Sequence, residues 1–191
     1  RLTEYAGLLE MLQQTAGPET AVIPSVGPSY GLMMDQADVL KDMQFPTAMV
    51  LPTKAIMTEA GLMTGFRRFV QVFGRPAVLY IKEEGYISPE GAAELVRDGL
   101  VSFIKYAIVR PDPAYDDYLD RLTALVDPAL ICSGIGEQPA IVHLRKFGLT
   151  GFTSGCVCVN PGLSQRMLKA VLAGELPLAE SIRQTFRPLE D

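Results

Sequence analysis

The chain has 191 residues, of which 48% are hydrophobic and 20% are charged, and its net charge is −5. This composition is ordinary for a globular protein with a buried core. The sequence shows no basic stripe that would meet phosphates and no basic amphipathic segment that would meet anionic lipids, so we expect neither nucleic acid nor a membrane as a partner. No apolar run reaches the roughly 20 residues that a membrane span requires, and the first residues lack the regions of a signal peptide.

The cysteines indicate neither a disulfide framework nor a metal centre. Cys132, Cys156 and Cys158 are an odd number in a long chain. The spacing of the last two is compatible with metal binding, but His143 is the only histidine and no second Cys/His pair completes a site. No Gly-x-Gly-x-x-Gly or Walker-type loop occurs either. We therefore expect no metal, no cofactor and a reducing, cytoplasmic location.

Short apolar runs alternate with helical patterns along the whole chain. The runs are nearly continuous in apolar residues, as in parallel strands that are covered on both faces. In chain order the sequence predicts a helix at Thr3–Thr15, a strand at Ala21–Val26, a helix at Tyr30–Met43, a strand at Ala48–Leu51, a helix at Glu59–Phe73, a strand at Ala77–Ile81, a helix at Pro89–Asp98, a strand at Leu100–Tyr106, a helix at Pro113–Leu125, a strand at Ala129–Ser133, a helix at Gln138–Lys146, a strand at Gly151–Cys158, and helices at about Pro161–Ala173 and Pro177–Phe186.

Local signals mark several ends of these elements. Ser88 and Asp112 each offer a capping side chain just before a proline, which suits the first helical position. Gly74 is one of four glycines at positions where a helix is expected to end with a residue in the left-handed conformation. Pro24 falls inside the first predicted strand and removes a ladder donor, so we expect a bulge or a strand end there.

Six β–α units in succession predict right-handed crossovers and a parallel sheet. Either a doubly wound open sheet or an eight-stranded β/α barrel accommodates this pattern, and periodicity does not decide between them. The absence of a nucleotide-binding glycine loop disfavours an open sheet that binds nucleotides.

Lys105 is an unusual residue for its position, the C-terminal end of an apolar predicted strand. Burial disfavours the charged form of an amine, and a neutral amine is what attacks a ketone to form an imine. Active sites of β/α barrels lie at the C-terminal ends of their strands. The alternative is a lysine just past the strand end that extends its amine to solvent.

Four segments in register resemble one enzyme family. The segment at 103–107, Phe-Ile-Lys-Tyr-Ala, resembles the sixth strand, with its lysine, of the dihydrodipicolinate synthase / N-acetylneuraminate lyase family. Segments 77–81, 130–137 and 148–155 resemble the fifth, seventh and eighth strands. The resemblance implies a TIM barrel, class I aldolase or dehydratase chemistry, a Schiff base on Lys105, and a homotetramer.

The resemblance also implies that parts of the family's barrel have no counterpart here. Residues 1–16 match the helix after the family's second strand, and the C-terminal helices at about 161–191 stop early. About six of the eight strands are represented, and a barrel of this kind usually needs ~250 residues. We expect residues 1–191 to form a single, partial β/α-barrel domain that is a fragment of a longer one.

Two expected family residues are replaced. Thr53 and Lys54 stand where the family usually has tyrosines that relay protons, and Lys82 and Glu83 stand where the synthases have an arginine for the second substrate. These departures put the dihydrodipicolinate synthase reaction itself in doubt. Lys54 and Lys82 are candidate ligands of a dianionic substrate, or else solvated loop lysines. Lys82 is also the rival of Lys105 for the Schiff base.

Further site candidates follow from the same comparison. Tyr80 is a candidate catalytic residue that hydrogen-bonds near the imine. Glu137 is placed to contact a substrate hydroxyl, or is a carboxylate at a helix N-terminus. Thr153 and Ser154 lie near the expected site of the substrate carboxylate. His143 falls on an outer helix and is assigned no catalytic role.

The sequence thus predicts a Schiff-base lyase or aldolase that acts on pyruvate or another 2-keto acid. A sugar-acid dehydratase of the same family is the first alternative. A catalytically silent homologue that binds a keto acid is the second.

Overall fold

The computed structural model describes residues 1–53 and 57–190. Over these ranges the helices and strands alternate as the apolar pattern predicts. They are α1 (Leu2–Thr15), β1 (Ser25–Val26), α2 (Tyr30–Leu40), β2 (Met49–Val50), α3 (Glu59–Phe73), β3 (Ala77–Ile81), α4 (Pro89–Arg97), β4 (Val101–Tyr106), α5 (Asp117–Leu125), β5 (Ile131–Ser133), α6 (Ala140–Lys146), α7 (Pro161–Ala173) and α8 (Leu176–Glu190).

The strands form one five-stranded sheet in the order β1-β2-β3-β4-β5. The pairs β1–β2, β2–β3 and β4–β5 are parallel. This confirms the predicted parallel α/β class, which follows from right-handed β–α–β connections. Strand β3 has the predicted bounds and is buried along almost its whole length, as expected for a strand covered on both faces.

A sixth strand was predicted over Gly151–Cys158, and the described residues do not form it. Only Phe152 pairs, in an isolated parallel bridge with Ser133. Cys156–Cys158 is instead a 3-10 helix. The Ser154 hydroxyl accepts a hydrogen bond from the Cys156 N–H at 2.8 Å, and this local bond turns the chain out of the extended conformation.

Several predicted element ends are confirmed and others are wrong. Ser88 caps α4 by accepting from the Gly91 N–H, and Gly74 ends α3 with φ 77°. Strand β1 begins directly after Pro24. Helix α5 does not begin after Asp112. The buried Asp116 side chain caps this helix instead, by accepting a hydrogen bond from the Leu119 N–H.

The chain divides into two compact units, Arg1–Tyr80 with Gly85–Phe103 and Ile81–Glu84 with Ile104–Asp191. In the first unit, α3 buries an aromatic stripe of Phe66, Phe69 and Phe73. This spacing of three and four residues places all three rings on one face of the helix. Arg67, on the same helix, forms ion pairs with Glu94 and Asp98.

The second unit is organised around a buried polar network. The Tyr106 hydroxyl donates to Asp116 Oδ2 at 2.5 Å, and Arg110 Nη2 donates to Asp116 Oδ1 at 2.9 Å. Ser133 Oγ and His143 Nδ1 are hydrogen-bonded at 2.8 Å. These contacts join β4, α5, β5 and α6 and pair most of the buried polar groups named here; Arg110 Nε is buried and has no hydrogen-bond partner among the described residues.

None of the described helices is long and apolar enough to cross a membrane.

Candidate functional site

Lys105 is the penultimate residue of β4, and it is half-buried. It lies opposite Cys132 of β5 in the parallel register. Burial raises the pKa of the Cys132 thiol, while the nearby positive charge of Lys105 opposes that rise. Lys105 therefore lies near the carboxyl end of its strand, as predicted, and half of the residues of that strand are buried.

The Lys105 side chain borders a cavity of about 570 Å³ in the second unit. Its walls come from the ends of β4 and β5, the segment after the Phe152 bridge, and the end of α8. The lining residues are Lys105, Gly134, Ile135, Gly136, Thr153, Ser154, Gly155, Cys156, Val159, Leu189 and Glu190. A cavity of this size suits a small organic acid.

Two of the predicted substrate ligands, Thr153 and Ser154, line this cavity together with Lys105. Thr153 is fixed by its backbone: its N–H donates to the Ser133 carbonyl at 2.7 Å, and its carbonyl accepts from the Gly136 N–H at 3.1 Å. The Ser154 hydroxyl donates to Glu137 Oε2 at 2.5 Å. This segment is therefore held by the backbone N–H and carbonyl of Thr153 and by the side chain of Ser154.

Glu137, the third predicted ligand, lies behind the cavity wall rather than on it. Its side chain is 0% exposed. Its two carboxylate oxygens accept from Ser154 Oγ and Ser164 Oγ, each at 2.5 Å. A buried carboxylate with two hydroxyl donors is satisfied within the protein, and through Ser154 it positions the cavity wall. Its contact with a substrate hydroxyl stays a prediction.

Glu190, near the end of α8, is a cavity residue that the sequence did not single out. Its Oε1 accepts from the Glu137 backbone N–H at 3.0 Å. Its Oε2 is buried and has no hydrogen-bond partner within the described part of the chain. Burial and the neighbouring Glu137 charge raise the pKa of Glu190. No motif marks Glu190 in the sequence, because 53 residues separate it from Glu137 and only packing brings the two together.

Glu137, Cys156 and Glu190 form a small cluster of groups with metal-binding chemistry. Their ligand atoms lie within 4.8 Å of one another. Both Glu137 oxygens are already engaged by serine hydroxyls, however, and burial raises the pKa of the Cys156 thiol, which disfavours the thiolate that binds metals. We assign no metal to this cluster.

Two further predicted residues, Tyr80 and Lys82, lie elsewhere. Tyr80 is half-buried on β3 and belongs to the first unit. Lys82 follows β3, is exposed, and is not among the described residues that line the Lys105 cavity. Lys54 lies outside the described residues. The catalytic role of Tyr80 and the substrate contacts of Lys54 and Lys82 stay predictions.

His143 is almost fully buried in α6, bonded to Ser133, and burial lowers its pKa to about 4. It does not line the Lys105 cavity. Its surroundings fit the structural role predicted for it.

Comparison with protein-family models and with curated protein sequences finds no match. Solved structures do match. The crystal structure of dihydrodipicolinate synthase from Oceanobacillus iheyensis superposes with a TM-score of 0.86 at 22% identity, and that from Bacillus clausii with a TM-score of 0.86 at 20% identity. Both alignments cover 100% of this chain.

The chain shares its fold with dihydrodipicolinate synthases. The synthase from Thermotoga maritima agrees, with a TM-score of 0.80 at 20% identity over 100% of this chain. This confirms, at the level of the fold, the resemblance seen in four segments of the sequence. The chain spans 63% and 64% of the two synthases named first.

Proposed function

We propose that the protein is a Schiff-base-dependent lyase or aldolase that acts on pyruvate or another 2-keto acid. The observation that carries this proposal is Lys105 at the carboxyl end of β4, on the wall of a cavity sized for a small acid. The fold shared with dihydrodipicolinate synthases supports it, since that fold makes an aldolase-type lyase the leading class. In the reaction, the neutral Lys105 amine attacks the C2 ketone, water leaves, and the cationic imine withdraws electrons from C3.

The cavity offers a hydroxyl for the substrate carboxylate. Ser154 already donates its hydroxyl proton to Glu137. We therefore assign the donor role to Thr153, which lines the cavity and whose backbone is held at both its N–H and its carbonyl. Because the backbone of Thr153 is already held, a hydrogen bond from its hydroxyl would orient the ketone toward Lys105 at a reduced cost in conformational entropy.

A sugar-acid dehydratase is the second candidate. It is favoured by what the resemblance implies: Thr53 and Lys54 stand where the family has tyrosines, and Lys82 and Glu83 stand where the synthases have an arginine. A dehydratase also begins with an imine on Lys105 but has no second carbonyl substrate to bind. By the same resemblance we propose that the protein works as a homo-oligomer, with a tetramer as the expected form.

Reductive trapping tests the proposal directly. The protein is incubated with pyruvate and sodium borohydride, and its intact mass is measured. We expect a stable adduct in the unmodified protein and in Lys82→Ala, and none in Lys105→Ala. An adduct that persists in Lys105→Ala, or no adduct in the unmodified protein, would contradict the proposed role of Lys105. A panel of aldehydes and sugar acids then separates aldolase from dehydratase activity.

A further inference from the structure

The Lys105 cavity contains a second ionisable group that the proposed function has not used. Glu190 lines the same cavity as Lys105. Any reaction through a lysine imine needs a group that gives and takes protons at the substrate. By the resemblance, Thr53 and Lys54 stand where the family has tyrosines, and a threonine hydroxyl has no acid–base chemistry near neutral pH. A proton-transfer group is therefore expected at another position of the chain.

The Glu190 carboxyl is held in place at one oxygen and is unpaired at the other within the described part of the chain. Oε1 accepts the Glu137 N–H at 3.0 Å. Gly136, with φ 92°, allows this close approach, because a Cβ there would overlap the Glu190 carboxyl. Oε2 is buried and has no hydrogen-bond partner among residues 1–53 and 57–190. A buried oxygen without a partner is costly unless it carries a proton or meets a ligand.

The surroundings of Glu190, and burial first of all, favour a carboxyl that can hold a proton, against hydrogen bonds from Gln138 and from the Glu137 N–H that lower its pKa. Facing it are Glu137 before α6, Cys156 in the 3-10 helix, Arg183 on α8 itself and Lys105 across the cavity. Burial and the Glu137 charge raise the pKa of Glu190. Two neighbouring carboxyls with different surroundings are a common basis for an acid–base pair. Glu137, bonded to two serines, is the fixed member.

We infer that Glu190 transfers protons to and from the substrate that is bound covalently to Lys105. This inference rests on the proposed function and names the group that serves it. Glu137 is a positioning residue in this arrangement, since its backbone N–H holds Glu190 and its side chain holds Ser154.

Two proton transfers follow in order. After the Lys105 amine has added to the ketone, the Glu190 acid gives its proton to the C2 hydroxyl. The C–O bond breaks, water leaves, and the nitrogen lone pair forms the C2=N bond of the cationic imine. The Glu190 carboxylate then takes a proton from C3. That C–H electron pair becomes the C2=C3 bond, the C=N electron pair returns to nitrogen, and a neutral enamine and a protonated Glu190 result.

Exchange of the pyruvate methyl protons with deuterium measures this second step. The exchange is followed by NMR in D2O for the unmodified protein, Glu190→Gln, Glu190→Asp and a matched control, Glu175→Gln, which changes an exposed glutamate just before α8. We expect Glu190→Gln to slow exchange by roughly 10²–10⁴-fold, the usual contribution of a general acid–base group. Glu190→Asp should recover part of the rate, and Glu175→Gln should exchange at the unmodified rate.

The pH profile separates a chemical role of Glu190 from a structural one. The exchange rate of the unmodified protein should show a titration that is absent in Glu190→Gln, whereas a structural defect would lower the rate equally at every pH. Borohydride trapping is measured on the same samples. If both proteins form the pyruvate adduct and exchange at equal rates, the Glu190 inference is overturned and the Schiff base stands. If the unmodified protein forms no adduct, the proposed function fails, and the role of Glu190 fails with it.

Discussion

Gly134 lies directly against the Lys105 side chain. A Cβ added at Gly134 would be 2.8 Å from Lys105 Cγ and 3.0 Å from Lys105 Cε. Because residue 134 is a glycine, the Lys105 side chain has room to extend along the cavity wall.

Gly134→Ala should accordingly displace the lysine and slow trapping of pyruvate by borohydride. We expect a loss of roughly tenfold to a hundredfold, the scale that a displacement of about 1 Å at a reacting group produces. The matched control is Gly151→Ala, where a Cβ meets nothing within 4 Å. Trapping by Gly134→Ala at the unmodified rate would show that the Lys105 side chain does not depend on this contact.

Ser164→Ala should destabilise the protein through Glu137. The Ser164 hydroxyl donates to Glu137 Oε1 at 2.5 Å, and both side chains are buried. Removal of the donor leaves a buried carboxylate oxygen unpaired, which costs about 1–3 kcal/mol in free energy of unfolding. Urea unfolding measures the change. Ser181→Ala, at an exposed position of α8, should change it by less than about 0.5 kcal/mol, and an equal effect of the two substitutions would contradict the prediction.

Asp116→Ala should have a larger effect on stability. The buried Asp116 carboxylate accepts from the Tyr106 hydroxyl, from Arg110 and from the Leu119 N–H. Loss of one member of a buried charged network typically costs about 3–5 kcal/mol. Chemical unfolding of this variant is compared with that of Asp117→Ala, which removes an exposed carboxylate from the same helical turn and should cost less than about 1 kcal/mol. A small effect of Asp116→Ala would mean that Tyr106 and Arg110 find other partners.

The stability of the protein should fall as the pH is lowered through the range of His143. Burial lowers the pKa of His143 to about 4, against 6.5 for an unburied histidine. Between these values the unfolded state binds more protons than the folded state, so stability decreases as the pH decreases, by at most about 1.4 kcal/mol per pH unit from this one group. Above pH 6.5 the contribution is complete.

His143→Gln tests this pH dependence because the chain has a single histidine. The raised pKa of Glu190 acts in the opposite sense, and it is common to both proteins, so the difference between their stability curves isolates His143. We expect the unmodified protein to lose more stability than His143→Gln between pH 7 and pH 4.5. Parallel curves would show that His143 is not buried in its neutral form.

The elements were predictable where their signals are local. Helix α3 and strand β3 have the bounds that the sequence indicates, since a helical pattern that stops before Gly74 and a continuous apolar run each act within one element. The predicted strand at Gly151–Cys158 does not form, because the Ser154 hydroxyl accepts a hydrogen bond from the Cys156 N–H and this local bond competes with strand pairing. The apolar pattern of the sequence gives no sign of such a bond. The predicted start of α5 was wrong for a similar reason. Asp112 and Asp116 offer the same capping chemistry, and tertiary packing buries Asp116, which caps the helix.

By itself, the sequence determined the parallel α/β class and the place of Lys105 at a strand end, because both follow from the order and polarity of neighbouring residues. The tertiary structure alone decided what surrounds that lysine. It placed Thr153 and Ser154 on the cavity wall, turned Glu137 inward to two serines, and brought Glu190 from the far end of α8 onto the Glu137 N–H. These contacts join residues that are distant in the chain, and only the packing of helices and strand ends fixes such distances.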